Sequence, residues 1–109
     1  MTMTRKVYKY ELSSDSEQVI DLPIKSKILS VVNQHEKIVL YVSVNDSEKE
    51  TRPIRVYLCG TGQNIPPRAD VFLGTVSLQH GNVMIHVFLD SFQFYHENHV
   101  CINVVCELR

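Results

Sequence analysis

The sequence predicts a small all-β domain, a β-sandwich or barrel of about eight mostly antiparallel strands. Three observations carry this reading. Apolar residues recur with period two from Tyr8 to Leu108, turn residues punctuate the chain at short spacing, and no segment shows the wider stripe of an amphipathic helix. At 109 residues the chain is one domain, 1–109. A chain of this length buries roughly two-thirds of its unfolded surface, enough for a core without metal or disulfide staples.

Val7 to Leu12 alternates, with Tyr8, Tyr10 and Leu12 on one face and Val7, Lys9 and Glu11 on the other. Ser13-Ser14-Asp15-Ser16 is a turn cluster, and Glu17 to Leu22 is too short and too β-branched to follow it as a helix. Pro23 closes that second strand. Lys27 to Val32 and Lys37 to Val44 form a hairpin through Asn33-Gln34-His35-Glu36, with Ile38, Leu40, Val42 and Val44 pointing one way. After the charged loop 45–50, Arg52 to Leu58 places Ile54, Val56 and Leu58 opposite Arg55 and Tyr57. Pro53 puts the start of that strand at a sheet edge, because proline has no N–H for the ladder. Val71 to Leu78 and Asn82 to Leu89 form a second hairpin through Gln79-His80-Gly81. Residues 91–98 are ambiguous, and Val100 to Leu108 alternates as a half-buried last strand.

Composition excludes several classes. Lys+Arg 11 against Asp+Glu 12 gives a net charge of −1, so no global field draws the protein to nucleic acid or to anionic lipid. The N-terminus lacks the apolar run of a signal peptide, and no window approaches the length of a membrane span. Three cysteines, an odd number, suit a reducing compartment better than a disulfide framework. The expectation is a cytoplasmic protein with no membrane partner and no general nucleic-acid binding.

Between the fifth and sixth expected strands lies Gly60-Thr61-Gly62-Gln63-Asn64-Ile65-Pro66-Pro67. Two glycines one residue apart permit backbone angles that other residues adopt at a cost, and two prolines lock the exit. The loop reads either as an anion cradle, with Thr61, Gln63 and Asn64 adding donors, or as a tight connection between strands. A phosphate loop normally leads into a helix, whereas Pro66-Pro67 and a strand follow here.

Val7-Tyr8-Lys9-Tyr10-Glu11-Leu12, Ile20-Asp21-Leu22-Pro23, Glu50-Thr51-Arg52, the Gly60-Thr61-Gly62 turn with Ile65-Pro66, Phe72 to Leu78, Gly81 and His86-Val87-Phe88 stand in an order that resembles a small family of uncharacterised proteins found mostly in phage and bacterial genomes. The resemblance covers about residues 7–88 and leaves a C-terminal extension, 91–109. It implies a phage-type origin and an all-β fold, and no activity. Two departures stand out: Gln63 occupies the place of a family histidine, and Leu58-Cys59 are inserted before the glycines, which keeps side-chain parity.

The candidate ligand-binding residues are Arg55, Tyr57, Gly60, Thr61, Gly62, Gln63, Asn64, Arg68 and His86. Arg55 and Tyr57 share a strand face, which suits stacking on a base or pairing with a phosphate, or else is an ordinary solvated sheet face. His86, between Met84 and Phe88, lacks a sequence partner for base catalysis and reads as a satisfied, partly buried ring. His96, His99, Cys101 and Cys106 have the residue types of a zinc site, but Cys101 and Cys106 face opposite sides of a strand, so no metal or other cofactor is expected. Cys59 reads as a small buried hydrophobe. No nucleophile–base pair or carboxylate pair stands out. The expected function is therefore a non-enzymatic, phage-type binding module, with a host protein or an anionic small molecule such as a nucleotide signal as partner, acting in counter-defence. The alternative is a self-assembling structural β protein of a phage particle or mobile element, a homo-oligomer joined through the strand after Asn98.

Overall fold

In this computed structural model the described residues are 4–90 and the short strand Cys101–Ile102. They form β1 (Arg5–Glu11), β2 (Glu17–Pro23), β3 (Lys27–Gln34), β4 (Lys37–Asn45), β5 (Thr51–Gly60), β6 (Ala69–Leu78), β7 (Val83–Asp90) and β8 (Cys101–Ile102). A single 3-10 turn, Gln79–Gly81, joins β6 to β7. Sheet A has the order β1-β4-β3-β8 and sheet B the order β2-β5-β7-β6, so the all-β expectation resolves as a sandwich. Among the described residues β3 pairs parallel with β8, at Lys27–Ile28, and the other pairings are antiparallel. Of the expected last strand only these two residues are described; the ambiguous segment 91–98 and the positions of His96, His99 and Cys106 lie outside the described residues.

Period-two patterning decides what fills the space between the sheets. On β4, Ile38, Leu40, Val42 and Val44 are all buried, and they face Ile54 and Val56 of β5 and Val87 and Leu89 of β7. Each such side chain, taken fully out of water, stabilises the fold by roughly 1.5–3 kcal/mol. Gly74 of β6 sits where a Cβ would lie 2.7 Å from Val31 Cγ1 of β3, so here the sheets approach as closely as a glycine allows.

Both expected hairpins form. The first closes on His35 and Glu36 alone, each at positive φ (54° and 65°), the pattern of a type I′ turn made without glycine. Side chains hold it: Asn33 Oδ1 accepts the Glu36 N–H at 2.8 Å, and Asn33 Nδ2 donates to Ser77 O at 2.8 Å. Glu36 Oε1 in turn accepts the Gln79 N–H at 2.8 Å, tying the sheet A hairpin to the sheet B hairpin.

Two expectations need correction. Pro53 opens an interior strand and not an edge strand, since β5 lies between β2 and β7. The edge is local, because among the described residues the β5–β7 pairing begins only at Val56 and none stands opposite Pro53 on that side. Nor is the glycine–proline loop a tight connection. β5 and β6 run parallel with β7 between them, so residues 61–68 must travel back from the level of Ile85 to that of Asp90. The loop is a crossover.

Candidate functional site

The outer face of sheet B carries Glu17 and Val19 of β2, Arg55, Tyr57 and Cys59 of β5, His86 and Phe88 of β7, and Phe72 and Thr75 of β6, placed by cross-strand register. Tyr57 and Cys59 point away from the core yet are buried, each only 4% exposed. The crossover accounts for this. Cys59 Sγ lies 3.4 Å from the Asn64 carbonyl oxygen and 3.7 Å from those of Gly60 and Gln63, so the thiol donates into the underside of the loop. At the far end Arg68 grips Asp90 with two contacts, Nε to Oδ2 at 2.9 Å and Nη2 to Oδ1 at 3.0 Å.

The loop begins as a β-turn. Gln63 N–H donates to Gly60 O at 3.1 Å, and Gly62, the third residue, has φ +89°, the signature of a type II turn. Gly60 N–H donates back to Gln63 Oε1 at 2.8 Å. Gln63 thereby takes the place of a neighbouring strand: β2 accompanies β5 only to Ser16, whose carbonyl accepts the Leu58 N–H, and the next outward main-chain groups, those of Gly60, are satisfied by Gln63. The amides of Gly60 and Gln63 are occupied inside the turn, and three loop carbonyls face Cys59. An anion cradle needs convergent N–H groups, and the loop turns oxygens inward instead.

The sequence-selected residues fall into two groups. Arg55, Tyr57 and Arg68 gather with Glu17 and Asp90: Arg55 Nη1 lies 2.7 Å from Glu17 Oε2, and the Tyr57 hydroxyl is pushed above its ordinary pKa, first by burial and then by the carboxylates of Asp90 and Glu17. Each arginine thus has a carboxylate beside it. Gly60, Thr61, Gly62, Gln63 and His86 form the second group, around a pocket of about 160 Å³ that Cys59, Ile65 and Phe88 complete. His86 is clamped from both sides, with Thr61 Oγ1 2.9 Å from Nε2 and Thr75 Oγ1 2.8 Å from Nδ1. A neutral imidazole has one donor and one acceptor nitrogen, so one threonine accepts while the other donates. Asn64 contributes its main-chain carbonyl to the Cys59 contact rather than a side-chain donor.

The larger cavity lies round the corner, at the end of the sandwich. A cleft of about 700 Å³ opens between the Ser14 and Ser16 turn, the Gly60–Gln63 turn and the start of β7. Its walls are apolar, with Leu58, Leu78 and Ile85 among them, and Ser14, Ser16, Thr61, Gln63 and Asn82 bring hydroxyl and amide groups; among the described residues none of its lining side chains is charged. The volume is that of a small-molecule site. Sequence reasoning recognised Ser13–Ser16 as a turn and Gly60–Gln63 as a special loop, but nothing in their spacing says that they face each other. Thr75, Glu17 and Asp90 were likewise not selected, since their partners come from other strands.

Among the described residues no group of three or more His, Cys, Asp or Glu side chains is arranged to hold a metal ion, and no helix is long and apolar enough to cross a membrane. The chain matches DUF7352, a domain of unknown function, over residues 3–97. It belongs to that family. The DUF7352 match spans β1 to β7, so crossover, clamp and cleft all fall within the family domain. No curated protein and no solved structure matches the chain.

Proposed function

We propose that this DUF7352 chain is a non-enzymatic binding module whose ligand enters the cleft beside the Gly60–Gln63 turn. The observation that carries the reading is the cleft itself: about 700 Å³, apolar walls, and a few hydroxyl and amide groups at its rim. The absence of charge on its lining favours an uncharged, partly apolar ligand. A nucleotide phosphate meets no counter-charge there, since Arg55 and Arg68 lie on the outer face beside Glu17 and Asp90. The non-enzymatic part rests on two engaged groups. The Cys59 thiol is directed at main-chain carbonyls, and both ring nitrogens of His86 are held by threonine hydroxyls. A phage or mobile-element setting, with a role in counter-defence in the host cytoplasm, goes with the motif order described above.

The test is a two-dimensional amide NMR titration with uncharged fragments, each matched to a carboxylate or phosphate analogue. Uncharged fragments are expected to shift the amides of Gly60, Thr61, Gln63, Asn82 and Met84. Asn82→Trp, which fills the cleft, is expected to abolish those shifts. Shifts only from the anionic analogues, or none from either set, would overturn the reading.

A further inference from the structure

We infer that β1 is a self-pairing edge, through which two copies of this chain join antiparallel across a two-fold axis into one continuous sheet. The inference is independent of the cleft. Among the described residues β1 is an outer strand of sheet A, and its pairing with β4 runs without a bulge from Arg5 to Glu11. Asp46 N–H donates to Thr4 O and Leu12 N–H to Ile38 O, which sets the parity of the ladder. Even-numbered residues of β1 therefore bond to β4. Arg5, Val7, Lys9 and Glu11 turn their N–H and C=O groups to the open side.

An open row of this kind is a template for another strand. The side chains add a further invitation. Val7 is 58% exposed on the outer face, and Tyr8, on the face that should meet sheet B, is 42% exposed.

Charge then selects the partner. For two copies of β1 to pair antiparallel through their open groups, odd residues must stand opposite odd residues. Centring the pair on Tyr8 sets Arg5 opposite Glu11 of the second copy, Val7 opposite Lys9, and Tyr8 opposite itself. This register uses the whole strand and makes about eight main-chain hydrogen bonds, two per narrow pair. It also forms the Arg5–Glu11 ion pair twice, by symmetry. Sliding by two residues one way sets Arg5 against Lys9, and the other way sets Lys9 against Lys9. Like charges directly opposite are unfavourable, so the strand specifies one register. The Arg5 guanidinium donates to Ser43 Oγ of β4 at 2.8 and 3.1 Å, so it leans over β4 and must swing outward to reach Glu11 of the second copy; both residues are exposed.

The two outer strands of sheet B, β2 and β6, lack these features. The parity set by Leu58 N–H to Ser16 O turns Glu17, Val19 and Asp21 of β2 to its open side. Self-pairing centred on Val19 would set Glu17 against Asp21, two carboxylates. β6 is interrupted by irregularities between Ala69 and Val71 and between Phe72 and Gly74, and such bulges blunt an edge. The assembly expected from the sequence ran through residues after Asn98; the pairing inferred here runs through the opposite end of the chain.

Sedimentation equilibrium on the full chain tests the inference. The wild type is expected to approach twice the 12.6 kDa chain mass as concentration rises. Glu11→Arg and Arg5→Glu, each of which sets like charges opposite one another at two symmetric sites, are expected to weaken dimerisation by about tenfold or more. The double variant Arg5→Glu/Glu11→Arg exchanges the charges and is expected to restore it. Val7→Pro removes only an N–H that faces the open side, so it should give a folded monomer with an unchanged far-ultraviolet spectrum. A wild type that stays monomeric at every concentration would overturn the inference. So would a dimer indifferent to Glu11→Arg, or a folded double variant that fails to recover.

Discussion

Arg68 and Asp90 meet in a two-pronged ion pair, 2.9 and 3.0 Å, that fastens the end of the crossover to the end of β7. The carboxylate is buried, whereas the arginine side chain is 56% exposed. Removing the arginine takes a two-pronged cationic partner from a carboxylate that is only 4% exposed. Arg68→Ala is expected to destabilise the fold by about 2 kcal/mol, below the full cost of a wholly buried pair because the cation is partly solvated. The denaturant midpoint should fall with an unchanged m-value.

The same pair is expected to control access to Cys59, because it fastens the end of the loop that covers the thiol. With the loop closed, the thiol lies under three carbonyls and is 4% exposed. Modification by a thiol reagent, located by peptide mass mapping, is expected to be slow at Cys59 in the native protein. Arg68→Ala should speed it several-fold by freeing the end of the loop. Equal rates in the two proteins would show that the crossover opens independently of Arg68.

Gly74 of β6 packs closely against Val31 of β3 across the two sheets. Gly74→Ala puts a methyl 2.7 Å from Val31 Cγ1 and is expected to cost about 1–3 kcal/mol by overpacking. Val31→Ala removes the atom in the way. The double variant is therefore expected to be more stable than the sum of the single effects implies, a coupling that a double-mutant cycle in urea measures.

Glu36 links the two hairpins, and its carboxyl is held below the ordinary value of 4.5, chiefly by the Asn33 hydrogen bond and next by the Gln79 N–H. A folded-state pKa below the unfolded one means that the folded protein binds fewer protons. The stabilisation is thus complete above pH 4.5 and is lost as pH falls through the lower folded value. Glu36→Gln is expected to flatten this acid limb of the stability profile, measured as thermal midpoint against pH, and to leave the profile above neutrality parallel to that of the wild type.

Much of the architecture was legible before the structure. The alternation of Ile38, Leu40, Val42 and Val44 named the core face of β4, and the polar breaks at 33–36 and 79–81 located both hairpins. Of the candidate site, the sequence singled out the Gly60–Gln63 turn, His86 and the Arg55–Tyr57 strand face. It marked Cys59 as buried, but did not tell that Tyr57 would be covered, that the crossover would be what covers Cys59, that His86 would be clamped by Thr61 and Thr75, or that Ser14 and Asn82 would stand across a cleft from the turn.

The division has a physical cause. Period-two patterning is local: each residue's polarity relative to its neighbours states which face of a strand avoids water, and that alone determines the strands, the two hairpins and most of the core. Which strand lies beside which depends on contacts between distant segments. The placement of β7 between β5 and β6 was decided only in three dimensions, and it turned a glycine–proline connection into a crossover that seals the outer face of sheet B. Arg68 and Asp90, 22 residues apart in the chain, become partners for the same reason. Composition permits such a pair, and only the tertiary structure makes it.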